Sequence, residues 1–292
     1  MSPPVPPSDR SADPSSDRSR RGSRDRSRRA FLRAGGGLVG AVGLAGCVLS
    51  VSPYSETVER SFDPEDARKL VVRNESGDVT LSAGDGDTLS GTVRKESSSG
   101  EDALDDVTVE ASFEADRVIV APRIPEGAAV TVDLDLAVPS GLTVLEVTTD
   151  NGDVSVTDLP CEGRLRTENG DVDVEGIDGS ADLRSTNGDV SATGGGVGGA
   201  QTTNGDIDIE IHAMTADAVC RSTNGDVAVA VPEDLSAALR LVTSNGDADI
   251  DGVPATVDSS GERRIEGRLG EGEPEHTLTL RSTNGDVTLR GL

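Results

Sequence analysis

Apolar residues in this chain keep strand phase, and they do so around one recurring tripeptide. Asn-Gly-Asp occurs at Asn151, Asn169, Asn187, Asn204, Asn224, Asn245 and Asn284, taking seven of the chain's eight asparagines. Four residues before each Asn stands Val147, Leu165, Leu183, Ala200, Cys220, Leu241 or Leu280. Three and five residues after stand pairs such as Val172 and Val174, Ile207 and Ile209, or Val287 and Leu289. Between them lie mostly Arg, Glu, Asp, Ser and Thr. Alternation on both sides of a turn predicts two short strands per repeat, each with one face inward.

Successive motif asparagines are 18, 18, 17, 20, 21 and 39 residues apart. A period near ~19 predicts a repeat architecture. The last gap is about two periods, which predicts one coil that has lost the motif. Two all-β folds fit. In a β-meander, Asn-Gly would be a type I′ hairpin turn. In a β-solenoid of coils of 18–21 residues, equivalent side chains stack about 4.8 Å apart.

The solenoid accounts for one regularity more. Two residues before each Asn stands Thr149, Thr167, Ser185, Thr202, Ser222, Thr243 or Ser282, always a hydroxyl. A hairpin has no use for it. A stack makes ladders of both positions, each side chain bonding its copy on the next coil. By strand parity the Asn falls inward, at a corner. A buried amide is costly alone, and a column of amides satisfies its members.

The expected fold is therefore all-β: a β-solenoid over residues 147–292 with an N-terminal β capping region at 61–146. That region holds a worn motif copy at 74–81, with an N-x-S sequon at Asn74. Strands are expected at 107–113, 117–120 and 130–138, and a mobile polar loop at 97–106. Residues 194–199 read as a pinched glycine corner, and 254–276 as an outward excursion or irregular coil.

The motif aspartates are the better candidates for chemistry. Asp171, Asp189, Asp206 and Asp226, with Asp153, Asp247 and Asp286, would form an outward acidic column. The plainer reading is a solvated edge, partly neutralised by Arg166, Arg184, Arg221 and Arg281. The functional reading is weak, multivalent cation binding. These four aspartates are the weak candidate metal residues, and no cofactor is implied.

The first 46 residues read as an address. Residues 1–26 are Ser, Arg, Pro and Asp without apolar period, which predicts disorder. Arg28 and Arg29 lie in Ser-Arg-Arg-Ala-Phe-Leu-Arg, which matches a twin-arginine export signal. A Gly-rich apolar run follows, too short for an ordinary span of about 20 residues. It ends in Leu-Ala-Gly-Cys47, which resembles a lipobox. Cys47 would then carry the lipid as the mature N-terminus, anchoring the protein on the outer face of the cell membrane. Residues 47–60 read as a tether.

Charge sharpens the setting. Of 27 basic and 53 acidic residues, nine Arg and four Asp lie in 1–46, which leaves 18 against 49, a net −31. Such a surface repels nucleic acid and anionic lipid and suits concentrated salt. A halophilic archaeal source is the expectation. The chain has one Tyr, three Phe and no Trp, so the core must be built of small aliphatic side chains.

The pattern resembles the putative-adhesin family of bacterial and archaeal surface proteins, whose β-strand repeats carry Asn-Gly-Asp-Val/Ile. The residues bearing the resemblance are Val132 to Gly141, the Leu-x-x-x-Asn-Gly-Asp copies, and Gly267 to Gly272 before the last copy. It spans about residues 70–291 and brings no catalytic residues with it.

Enzymatic readings find little support in these residues. Sugar-cleaving sites use paired carboxylates, usually with aromatic platforms, and no aromatic follows Phe113. His212 and His276 stand in unrelated phases. Cys161 and Cys220 lie about three coils apart, too far for a disulfide. The expectation is a non-enzymatic, lipid-anchored surface protein, an adhesin or envelope scaffold, with an unknown glycan or protein ligand. The alternatives are a cation-binding or sensory module and a carbohydrate-active solenoid enzyme.

Overall fold

The computed structural model describes residues 54–292. Arg28, Arg29, Cys47, the export segment and the first part of the expected tether lie outside the described residues. The chain opens with β1 (Tyr54–Phe62), β2 (Lys69–Arg73), β3 (Val79–Gly84) and β4 (Leu89–Ser97). A one-turn helix, α1 (Asp102–Asp105), precedes β5 (Thr108–Glu114), β6 (Arg117–Arg123) and β7 (Val130–Pro139). The motif repeats follow as β8 (Thr143–Asn151), β9 (Val154–Thr157), β10 (Pro160–Asn169), β11 (Val172–Glu175) and β12 (Asp178–Arg184). Next come β13 (Val190–Gln201), β14 (Ile207–Ile211), β15 (Ala218–Arg221) and β16 (Val227–Val231). The order closes with β17 (Ala237–Asn245), β18 (Ala248–Asp251), β19 (Ala255–Gly261), β20 (Arg264–Leu269), β21 (Thr277–Asn284) and β22 (Val287–Gly291).

The fold is a β-solenoid of two facing parallel sheets. One sheet runs β7, β3, β9, β11, the start of β13, β14, β16, β22 and β18. The other runs β6, β2, β8, β10, β12, the end of β13, β15, β21 and β17. One strand from each sheet makes a coil, and the motif forms the corner where a coil crosses from the second sheet to the first. Parallel pairing excludes the hairpin alternative. The glycines at 194–196 turn the long strand β13 out of one sheet and into the other.

The core lies between the sheets. Leu165, Leu183, Val172 and Val190 are fully buried, as are Val227, Leu280 and Val287. Alternation puts them there, and branched aliphatics suit a pleated surface buried on one face. In the last coil, Ala248 and Ile250 are only half-buried because β18 ends its sheet.

Four expectations are corrected. Residues 61–146 do not merely cap the stack; β2–β3 and β6–β7 are two further coils in parallel register with it. The capping is done by antiparallel strands: β4 and β1 on the first sheet, β5 on the second, and β20 with β19 at the far end. Residues 54–60 belong to β1, with Val58 opposite Val93, so the expected tether stops short of them. The loop at 97–106 is tied down through buried Leu104. Lys95 Nζ donates to the Leu104 carbonyl at 3.0 Å and to Glu56 Oε2 at 2.8 Å.

The fourth correction concerns coil order. The 39-residue gap hides no lost coil. Residues 255–269 fold outward as the β19–β20 hairpin, and the C-terminal strands then return to the stack. β21 pairs with both β15 and β17, and β22 with both β16 and β18. The last coil in sequence is thus the second-last in space.

Candidate functional site

At the corner the asparagines form one hydrogen-bonded column. Asn169 Nδ2 donates to Asn151 Oδ1 at 3.0 Å, Asn187 to Asn169 at 2.8 Å and Asn204 to Asn187 at 2.7 Å. Asn224 donates to Asn204 at 2.8 Å, Asn284 to Asn224 at 2.8 Å and Asn245 to Asn284 at 2.9 Å. All seven side chains are exposed, so the inward placement is corrected. The chain bends between the hydroxyl and the Asn, so the Asn and the residue before it both face solvent, and two-residue parity does not carry through.

The hydroxyls are the buried members. They do not bond one another, which corrects the expected hydroxyl ladder. Thr167 donates to the Gly152 carbonyl, Ser185 to Gly170, Thr202 to Gly188 and Ser222 to Gly205, each at 2.8 Å. Backbone accounting explains the choice. Each motif glycine N–H except that of Gly246, in the last coil of the stack, already donates to the Asn carbonyl of an adjacent coil, as Gly170 does to Asn187 at 3.0 Å. Its carbonyl turns inward, and a short hydroxyl is the donor that reaches it. The coils meet closely here: a Cβ on Gly188 would lie 1.9 Å from the Gly170 carbonyl oxygen. No motif Asn has a positive φ; the unusual backbone is carried by the glycines.

The aspartates form the third column, and it is longer than the motif. Asp171 Oδ1 accepts the backbone N–H of Asp189 at 2.8 Å, Asp189 that of Asp206 at 2.8 Å, and Asp206 that of Asp226 at 2.9 Å. Asp286 and Asp247 continue it in spatial order. At the other end it runs from Asp153 through Asp78 to Asp133. These carboxylates are therefore not a free solvated edge: one oxygen of each, up to the last coil, ties its neighbour. Burial pushes the Asp171 carboxyl above the usual range. The Asp189 N–H works against that rise, while the charges of Asp153 and Asp189 add to it. Among the described residues, no group of three or more His, Cys, Asp or Glu is arranged to hold a metal.

The arginines do not neutralise this column. Arg166 pairs with Glu168 at 3.2 Å. Among the described residues, no acid lies within 4.0 Å of the Arg184, Arg221 or Arg281 guanidinium. They stand in one register row on the outer face of the second sheet: Arg166 beside Arg184, Arg184 beside Gln201, Gln201 beside Arg221, and Arg221 beside Arg281. A groove of about 340 Å³ opens there, lined in part by Asp182, Arg184, Gly198, Gly199, Gln201 and Arg221.

The family model described as Toastrack DUF4097 matches residues 55–290. The chain belongs to the Toastrack family. The match covers the whole ladder-bearing body of this Toastrack chain, its two N-terminal coils included. Among solved structures it resembles a putative adhesin from Bacteroides fragilis NCTC 9343, at 12% identity and a TM-score of 0.41 over 83% of this chain and 100% of that one. A putative cell adhesion protein from Clostridium sporogenes ATCC 15579 aligns at 11% identity and a TM-score of 0.35, over 82% and 100%. A putative lipid binding protein from Parabacteroides distasonis ATCC 8503 aligns at 14% and 0.27, over 80% and 96%. No curated protein matches the chain.

Other residues of the Toastrack body have clear places. Asn74 occupies the buried hydroxyl position of its coil and donates to the Gly77 and Val132 carbonyls at 3.0 and 2.8 Å. Its amide nitrogen is engaged, so the sequon cannot carry a glycan in the folded protein. Cys161 and Cys220 are free and buried, and burial pushes their thiols up to about 11 and about 12. His212 is exposed and His276 half-buried. Asp133, the first of the column, escaped sequence reasoning; the available signal was Asp-Leu-Asp-Leu at 133–136, which copies the Asp-Val-x-Val of the motif.

Proposed function

We propose that this chain is a non-enzymatic, lipid-anchored surface protein whose solenoid is a stiff display body, an adhesin or envelope scaffold. The observation that carries this is the use made of the repeated polar residues. Asn, Ser or Thr, Gly and Asp of the motif are each spent on joining one coil to the next. The most conspicuous chemistry in the sequence is therefore architecture, and what faces outward is a regular surface roughly 40 Å long at about 4.8 Å per coil. In this reading Arg28 and Arg29 direct export, Cys47 carries the lipid, and a surface glycan or protein is the partner.

The test is fractionation and external protease treatment of intact cells making the wild-type chain, a variant with Arg28→Lys and Arg29→Lys, and a Cys47→Ser variant. The wild type should be membrane-bound and accessible from outside. The Lys pair should stay in the cytoplasm, and Cys47→Ser should be released or left unprocessed. Normal export of the Lys pair, or a wild type shielded from protease, would refute the reading.

A further inference from the structure

The row that holds Arg184 and Arg221 runs the length of the stack. Arg73, Arg166, Arg184, Arg221, Arg281 and Arg264 occupy it, one to a strand. The other three strands place Thr148, Gln201 and Val242 there, and none places an acid. The body after residue 46 has 18 basic residues against 49 acidic ones, so one third of its cations stand in a single line. The fold does not ask for this, since Thr, Gln and Val fill the same position in other coils. Electrostatics disfavours it, since like charges at coil spacing repel. At the ends the row is compensated: Arg73 lies 3.7 Å from Glu146, Arg166 pairs with Glu168, and Arg264 with Glu266. In the middle, no acid of the described residues lies within 4.0 Å of the Arg184, Arg221 or Arg281 guanidinium, and these side chains and that of Gln201 are exposed.

We infer that this row is a docking line for an extended acidic polysaccharide, whose regularly spaced carboxylate or sulfate groups the guanidiniums of Arg184, Arg221 and Arg281 receive in turn. The inference rests on the surface-display reading and names the ligand class of that surface. A planar guanidinium pairs with carboxylate or sulfate through two parallel N–H bonds. The groove at Gly198 and Gly199, between Arg184 and Arg221, gives a sugar ring access to the sheet; Asp182 also lines it and suits a sugar hydroxyl, so the acidic groups of the ligand lie over the guanidiniums and not in the groove. Beside the arginines runs a second row, Thr186, Thr203, Thr223 and Thr283, exposed or half-exposed, whose hydroxyls suit sugar hydroxyls. Nucleic acid fits less well: single strands bind by stacking bases on aromatic side chains, and none lies on this face.

The experiment measures binding of the purified full chain to immobilised alginate, dextran sulfate, neutral dextran and single-stranded DNA at two salt concentrations. The wild type should bind one or both acidic polysaccharides, more weakly in high salt, and neutral dextran not at all. The alginate and dextran sulfate arms separate carboxylate from sulfate as the group received. The triple variant Arg184→Gln, Arg221→Gln and Arg281→Gln should bind at least tenfold more weakly. Gln201 already holds this register, so the variant should fold, and its melting temperature checks that. A control triple, Arg68→Gln, Arg117→Gln and Arg268→Gln, removes the same charge off the row and should change binding less than twofold. Equal loss in both triples, no binding to either acidic polysaccharide, or preference for DNA would overturn the inference. Surface exposure on intact cells is read separately, so failed binding by an exposed protein counts against the row and leaves the display reading standing.

Discussion

Asp171 Oδ1 accepts the backbone N–H of Asp189, one coil away, at 2.8 Å. That bond makes a carboxylate column, which simple repulsion would disfavour, part of the joint between coils. Asp171→Ala strips the acceptor from Asp189 and should cost roughly 1–2 kcal/mol. Asp171→Asn keeps an acceptor and removes a like charge, so it should be neutral or stabilising at low salt. Because burial raises the Asp171 carboxyl, the folded chain holds that proton more tightly than the unfolded chain does. Its contribution to stability therefore grows as pH falls from neutrality into the raised range, and is lost as pH rises through it. Denaturant melts across that window should show a flatter dependence for Asp171→Asn than for the wild type. Equal losses in the Ala and Asn variants would mean that the acceptor bond is not what matters.

The buried hydroxyl should outweigh the exposed amide. Ser222 is fully buried and bonds the Gly205 carbonyl at 2.8 Å, so Ser222→Ala leaves that carbonyl short of a donor and should cost roughly 1–3 kcal/mol. Asn187→Ala removes two ladder bonds, but water reaches both partners, and the cost should stay below about 1 kcal/mol. The order of the two melting midpoints decides; the reverse order would mean that the ladder, though exposed, carries the corner.

Close contact between coils makes one glycine differ sharply from another. Gly188→Ala drives a Cβ to 1.9 Å from the Gly170 carbonyl oxygen at a φ of +155°, and backbone must move on both coils. The cost should reach or exceed the usual overpacking range of about 1–3 kcal/mol. Gly141→Ala meets nothing within 4 Å and should be nearly silent, within about 0.5 kcal/mol. Similar melts for the two variants would contradict the coil spacing.

Cys220 lies fully buried in the apolar column, with its thiol pushed up to about 12. A thiol reagent at neutral pH should modify it only as the chain unfolds, in step with loss of circular dichroism. Fast labelling of native protein would overturn the register of β15.

Much of this fold was legible because a solenoid writes the same packing problem many times. The period, the two strands per coil, and the inward phase of Leu165, Val172 and their equivalents follow from alternation alone. The direction of Asn169 does not, because alternation is a property of straight strands and the chain bends between Thr167 and Asn169. The role of Asp171 was hidden for another reason: its partner is a backbone N–H on another coil, which no side-chain pattern records. The two N-terminal coils were obscured because Asn74 and Ser76 stand where later coils have Thr or Ser and Asn. The arginine row was visible as Arg-Ser-Thr-Asn repeats, but its isolation from acids emerged only once the coils were placed side by side.

Repeats announce equivalence but not adjacency, and the C-terminal coil shows the difference. Read in order, Asn224 and Asn245 would be neighbours and Asn284 would lie beyond both. In the fold, Asn284 bonds Asn224 at 2.8 Å and accepts from Asn245 at 2.9 Å, so it stands between them. Paired cysteines can tell the two orders apart. Equivalent Cα atoms on adjacent coils are about 4.8 Å apart, within disulfide range, while those two coils apart are near 10 Å and beyond it. All three positions are exposed, and the buried thiols of Cys161 and Cys220 should not compete. With Cys47 replaced by Ser, the pair Asn224→Cys and Asn284→Cys should form an intramolecular disulfide under mild oxidation, as should Asn245→Cys with Asn284→Cys. Asn224→Cys with Asn245→Cys should stay reduced. Mass spectrometry of non-reduced digests reads all three, and a bridge between positions 224 and 245 in the native protein would return the C-terminal coil to the end of the stack.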